Sequence, residues 1–328
     1  MSSPAGTGAE PVITTRGLGR KYGDLDAVRA TDLDVERGEV FGLLGPNGAG
    51  KSTMISMLCT MLAPSTGTAS VAGHDITRSP SGVRRNIGLV FQESTLDLHL
   101  TGEQNLRFHA DLYGVPRSRT GLRIREVLEV VGLWDRRKER AFAYSGGMRR
   151  RLEIARGLLH SPRVLFLDEP TAGLDPQTRR AIWRYVRRLH ENEDVTVFMT
   201  THYLEEAENC DRIAIMDAGA IVTLAPPEEL KAAVGEDLVV IGTRDEDTVV
   251  ALLRERFGVE AHLREGRVAF SVADGEGFIP RLFSEPGLPV TSVSVTRPSL
   301  DDVFVHHTGA ALRDKEASRS ERPTSFPR

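Results

Sequence analysis

The sequence predicts an α/β protein with a largely parallel sheet, followed by a small α+β domain, on three observations. From Val12 to Pro227, short apolar runs (VFGLLG, NIGLVFQ, VLFLD, VTVFMT, RIAIMD) alternate with helical patterns such as the one from Pro176 to Glu191. That rhythm belongs to buried parallel strands joined by crossover helices. From about residue 236 to 308 the order becomes strand (DLVVIGT), helix (246–257), strand (GVEAHL), strand (GRVAFSV), helix (275–284), strand (LPVTSVSV) and a helical PSLDDVFVHHTG. This is the order of a split βαβ unit. The 328 residues, 40% hydrophobic and 27% charged, suffice for one large core and one smaller one.

The turn Ala225-Pro226-Pro227 separates the blocks, giving expected domains over 12–227 and 228–310. Residues 1–11 and 311–328 are rich in Ser, Pro, Gly and charge without periodic apolar positions, and are expected to be disordered. A formal net charge of −4 gives no positive field to draw the whole chain onto nucleic acid. The opening residues lack a basic stretch followed by an apolar run, and nowhere does an apolar run approach the ~20 residues needed to cross a bilayer. The chain is therefore expected to be neither secreted nor membrane-spanning. Cys59 and Cys210 lie in apolar segments and are expected as buried, reduced thiols of a cytosolic protein.

After the strand VFGLL comes Gly45-Pro46-Asn47-Gly48-Ala49-Gly50-Lys51-Ser52-Thr53, the pattern G-x-x-x-x-G-K-[ST] between a strand and a helix. Glycines let the backbone curl until several N–H groups face one anion, and the helix starting near Lys51 adds the positive end of its dipole. Lys51 is then the contact to the outer phosphates, and Thr53 reaches an inner one. The Ser52 hydroxyl is placed to ligate Mg²⁺, which prefers hard oxygen donors. The implied ligand is a nucleoside triphosphate with Mg²⁺, ATP in the reading developed below.

The run Val164-Leu165-Phe166-Leu167-Asp168-Glu169 is a buried strand ending in two acids, at the edge where an open α/β sheet places its ligands. Asp168 is expected to hold the Mg²⁺ shell. Glu169 can face the far side of the γ-phosphate and position or deprotonate the attacking water.

With these residues in order, the segment from about 12 to 227 resembles the ABC transporter ATPases. The resemblance implies an ABC ATPase core of the P-loop NTPase class, with a helical subdomain over about 93–145. It implies that Tyr22, in RKYGDLDAV, stacks on adenine, and that Gln92, ending the strand NIGLVFQ, touches Mg²⁺ and senses the membrane partner. Tyr144-Ser145-Gly146-Gly147-Met148 is similar to the family signature, usually LSGGQ, with Tyr144 and Met148 as departures. Ser145, Gly146 and Gly147 would then face the γ-phosphate held by the other subunit. Asp175, in Ala172-Gly173-Leu174-Asp175, falls in the loop that crosses the dimer interface, and His202 matches the switch histidine at the γ-phosphate. With one phosphate loop and one signature per chain, the resemblance implies a homodimer sandwiching ATP, bound to a separate membrane permease and peripheral to the cytoplasmic face of the membrane.

The segment between Gln92 and Ser145 carries two amphipathic pieces, QNLRFHADLYG and LRIREVLEVVGL. In the family such an insert docks a coupling helix; it lacks the long heptad arms of ABC-type DNA-repair ATPases. The second block, ending in LDDVF, resembles the C-terminal extension of the daunorubicin-resistance type of drug-export ATPases. That implies export of a hydrophobic small molecule. A lipid or polysaccharide cargo, or a soluble regulator of the same ATPase class acting on ribosomes or nucleic acid, stands as an alternative. Arginines at 84–85, 136–137, 149–151 and 187–188 are expected on solvated helix faces, with no nucleic acid bound. Asp301 and Asp302 are read as a helix first turn, and His306 and His307 receive no role.

Overall fold

The computed structural model describes residues 11–193, 195–264, 266–284 and 289–309. The tails expected to be disordered lie outside these residues, apart from Pro11, which opens the first strand. The chain divides into two compact units at Leu224/Ala225, the head of the Ala225-Pro226-Pro227 turn.

The first unit holds two sheets. In chain order its strands are β1 (Pro11–Tyr22), β2 (Leu25–Glu36), β3 (Val40–Leu44), β4 (Thr66–Val71) and β5 (His74–Asp75). There follow β6 (Ile87–Val90), β7 (Val164–Asp168), β8 (Thr196–Thr201), β9 (Arg212–Asp217) and β10 (Ala220–Ala225). The helices are α1 (Lys51–Leu58), α2 (Pro80–Asn86), α3 (Gly102–Leu112), α4 (Arg117–Val130), α5 (Gly146–Leu158), α6 (Pro176–Glu193) and α7 (Leu204–Ala207).

Six strands run in the order β10-β9-β3-β8-β7-β6, with β9, β3, β8, β7 and β6 paired in parallel. Every residue of β3 and β8 is buried, as strands covered on both faces must be. Beneath the sheet edge Phe198 sits between Phe41 and Phe166, with ring centroids 5.3 and 5.4 Å apart. Because β3, β8 and β7 are neighbours, their carboxyl ends deliver Gly45, His202 and Asp168-Glu169 to one edge.

A second sheet of order β2-β1-β4-β5, with β1 antiparallel to both neighbours, is absent from the sequence reading. Its strands are half-buried, and the register of β1 shifts between Thr15 and Leu18, where Gly17 takes φ +58. Such a bulge breaks the period of two by which the strand would be recognised.

The second unit contains α8 (Pro227–Val234), β11 (Asp237–Thr243), α9 (Glu246–Phe257), β12 (His262–Arg264), β13 (Arg267–Val272), α10 (Gly275–Phe283), β14 (Val290–Thr296) and α11 (Leu300–Thr308). Its antiparallel sheet has the order β12-β13-β11-β14, and Val239, Ile241, Leu253, Phe270, Phe278 and Leu282 form its core. The strand expected at GVEAHL starts only at His262, because Gly258, at φ +67, closes α9 in the left-handed conformation.

Helix α11 opens with a capping box: the Ser299 hydroxyl accepts from Asp302 N (3.2 Å) and Asp302 Oδ2 accepts from Ser299 N (2.8 Å). Hydrogen bonds from Ser299 hold the Asp302 carboxyl below the ordinary aspartate range. A pKa depressed on folding means that the box stabilises above the unfolded pKa and weakens as pH falls through the folded one. Asp302→Ala is expected to cost about 1 kcal/mol at pH 7. Melting curves of the variant and parent should converge in acid; equal curves at pH 7 would refute the capping role.

Candidate functional site

The loop from β3 into α1 is shaped by glycines with no room for a side chain. A Cβ on Gly45 would lie 2.2 Å from Met216 O, and one on Gly50, at φ +110, would lie 2.4 Å from Ala27 O. Pro46, Asn47, Gly48 and Ala49 form the crown between them, closed by Ala49 N donating to Pro46 O at 3.1 Å. No side chain caps α1, so its first-turn N–H groups are directed at whatever the loop holds. Lys51 is 4% exposed; its Nζ donates to Gly45 O (2.6 Å) and Pro46 O (3.2 Å), 3.5 Å from Glu169 Oε1.

Ser52 Oγ donates to Asp168 Oδ1 at 3.2 Å, which brings the hydroxyl after Lys51 to the acid at the end of β7. Thr53, next along α1, is half-buried. Glu169 follows in a turn at φ +45, uncommon for a non-glycine residue. Thr200 pins that turn: its hydroxyl accepts from Glu169 N (3.0 Å) and donates to Asp168 Oδ1 (2.6 Å). Gln92 Nε2 donates to Glu169 Oε2 at 3.4 Å, and His202 Nδ1 lies 3.3 Å from the same oxygen. Burial pushes the Glu169 carboxyl up, and His202 with the Lys51 ammonium outweighs it, leaving the pKa below the ordinary glutamate value. Gln92 lies two residues past the end of β6 at Val90, not at the strand's end as the sequence suggests. That offset gives its side chain reach across the edge.

The structure therefore joins Lys51, Ser52, Gln92, Asp168, Glu169 and His202. Ser145, Gly146, Gly147 and Asp175 form a second cluster. Ser145 is the N-cap of α5, its hydroxyl accepting from Met148 N at 3.3 Å. A Cβ on Gly147 would meet Thr178 Cγ2 at 2.3 Å, and Asp175 accepts from Thr178 N (3.0 Å) and Thr178 Oγ1 (2.5 Å). Both departures from the usual signature touch Arg136: the Tyr144 hydroxyl donates to its carbonyl (2.8 Å), and Met148 Sδ accepts from its Nη1 (3.5 Å). Tyr22 ends β1, about half exposed, with the Arg20 guanidinium 4.8 Å from its ring centroid.

Thr200 and Glu206 escape the sequence reading. Glu206 accepts from Thr201 Oγ1 (2.6 Å) and Thr171 Oγ1, and burial raises its pKa. It thus ties the residue before His202 to the segment after Glu169. Cys59 and Cys210 are buried free thiols, as expected. Among the described residues no group of three His, Cys, Asp or Glu side chains forms a metal site, and no helix is long and apolar enough to cross a membrane.

A glycine cradle, a buried lysine and two successive carboxylates at one strand edge define a phosphate-loop ATPase core. The family model for ABC transporters matches residues 28–172, and the model for the C-terminal domain of DrrA1-3-like ATP-binding proteins matches 226–308. The chain belongs to the ATP-binding subunits of ABC transporters and is an ATPase. It is 41% identical to the daunorubicin resistance ATP-binding protein DrrA3 of Streptomyces coeruleorubidus, over 94% of this chain and 100% of that protein. It is 36% identical to the linearmycin resistance ATP-binding protein LnrL of Bacillus subtilis, over 92% and 100%. Among solved structures, cbiO1 from Clostridium perfringens, part of the ABC transporter complex cbiONQ, superposes with a TM-score of 0.64 at 27% identity, over 76% of this chain and 96% of cbiO1. The ATP-binding cassette MJ0796, in a dimeric post-hydrolysis state bound to ADP and Pi, gives 0.59 at 25% identity, over 65% and 98%.

Proposed function

We propose that this chain powers export of a hydrophobic small molecule through a separate membrane permease, working as a homodimer at the cytoplasmic face of the membrane. The observation supporting the reading is that the expected site residues fall into two groups with no hydrogen bond between them among the described residues. Lys51, Asp168 and Glu169 converge on one strand edge, whereas Ser145, Gly146 and Gly147 start α5 beside Thr178. Two copies related by a two-fold axis supply each nucleotide with both halves.

In this reading Lys51, the loop from Gly45 to Thr53 and Tyr22 bind ATP, while Glu169 activates water and His202 orients it. Ser52 Oγ, Asp168 and the Gln92 carbonyl are hard oxygen donors at the loop's edge, the donor set that suits Mg²⁺. The ion supplies charge neutralisation of the phosphates. Ser145, Gly146 and Gly147 close on the partner's γ-phosphate, and Asp175 meets the partner across the interface.

The relatives' names and the second unit's match support a drug-like cargo. The test is to isolate the membrane protein that co-purifies with the chain and assay ATP hydrolysis by the pair. Stimulation by hydrophobic drug-like cations is expected; stimulation only by a lipid-linked sugar would replace the cargo assignment.

A further inference from the structure

Arg150 stands on α5, five residues after Ser145, in the run Arg149 to Arg151 expected on a solvated face. The structure corrects that expectation for Arg150: its side chain is 8% exposed. A guanidinium carries five N–H donors in a fixed fork, and five acceptors surround this one. Nε donates to Pro170 O (2.6 Å), and Nη2 to Asp168 O (3.0 Å) and Glu169 O (3.2 Å). Nη1 donates to Phe91 O and to Glu153 Oε2 (3.1 Å).

Three of the acceptors are successive carbonyls of the turn holding Glu169 at φ +45. An uncommon backbone conformation persists when its surroundings over-determine it, and the hydrogen bonds from Arg150 and to Thr200 do so. The fourth carbonyl belongs to Phe91, whose neighbour Gln92 touches Glu169 Oε2. Glu153, one turn further along α5, accepts from Thr95 N at 3.0 Å and so fixes the other end of the same segment. Burial holds the Arg150 pKa below the ordinary arginine value, offset in part by Glu153 and Asp168; the group stays a cation.

We infer that Arg150 is a positioning residue for hydrolysis, joining the Gln92 segment to the backbone turn that aims Glu169. The inference rests on the proposed role of Glu169 as base. Any displacement of the Gln92 segment reaches the carboxylate through one rigid fork as well as through the glutamine's own contact. Nucleotide affinity is expected to change less than kcat, since the hydrogen bonds described for Arg150 involve none of the loop from Gly45 to Thr53 and reach Asp168 through its backbone carbonyl, not its carboxylate.

The experiment is a double-mutant cycle in the full chain, reading kcat, KM and equilibrium ATP affinity. Arg150→Lys keeps the charge but offers three donors in no fixed plane. It is expected to lower kcat about 10- to 100-fold, with ATP affinity changed less than about threefold. Gln92→Ala is expected to lower kcat in the parent and by a smaller factor in Arg150→Lys, because the glutamine's contact with Glu169 is worth less once the fork no longer holds its segment. An unchanged kcat, a matching loss of affinity, or strictly multiplicative effects would overturn the inference. Should Arg150→Lys fail to fold, Glu153→Gln keeps the guanidinium and removes its ion pair; reduced kcat at unchanged affinity is expected there, and parental kcat would overturn the inference. A dead Glu169→Gln beside a fully active Arg150→Lys defeats the positioning role alone, whereas an active Glu169→Gln defeats the base assignment.

Discussion

Glu169→Gln is expected to lower ATP turnover by 10²- to 10⁴-fold, the usual contribution of a general base, while ATP stays bound. The substitution keeps the side chain's shape in a site where Glu169 is 8% exposed, and it leaves Lys51 with its bonds to Gly45 O and Pro46 O. Binding is thus preserved and only the step after binding is lost, so the ATP-bound dimer accumulates. Steady-state phosphate release and size-exclusion chromatography in ATP check both halves, and parental turnover would remove Glu169 from the chemistry. The pH dependence has a definite sign. His202 and Lys51 hold the carboxyl below the ordinary glutamate value against the opposing pull of burial. Glu169 is therefore ionised through the neutral range, and its contribution to kcat/KM disappears only as pH falls through that depressed pKa.

Phe198→Ala is expected to destabilise the first unit by about 3–5 kcal/mol, the range for removing a fully buried aromatic ring. Phe198 has no exposed surface and contacts Phe41 on β3 and Phe166 on β7, the two strands whose ends carry the phosphate loop and Asp168. A hole here loosens the floor under the site from both sides. The urea midpoint of the first unit's transition measures it, and a shift of less than a quarter of that range would show that the neighbours close the gap.

The chemistry that depends on local spacing was legible before the fold was known. In Gly45 to Thr53, backbone and side chains within nine residues make the cradle, and the pattern itself states the geometry. Asp168 and Glu169 were legible because a buried strand announced where it ended. Arg150 was not, since its partners are mostly backbone carbonyls, which every residue supplies and no sequence pattern marks. Thr200 looked like any β-branched strand residue, and Glu206 like a polar residue of a short helix; only tertiary packing turns them inward. The antiparallel sheet stayed hidden because its bulged first strand alternates imperfectly.

The contacts of Arg136 make the two unusual signature letters a single unit. Tyr144 fits because position 102 is glycine, where a Cβ would come within 2.5 Å of the phenol oxygen, and Met148 leans on the same arginine from one turn away. A side chain at 102 would displace the phenol, so substitutions at 102 and 144 are expected to be coupled. A chimera importing the commoner pentapeptide would leave the space of the phenol ring unfilled and the Arg136 carbonyl with Glu139 N as its described donor, unless its neighbours travelled with it.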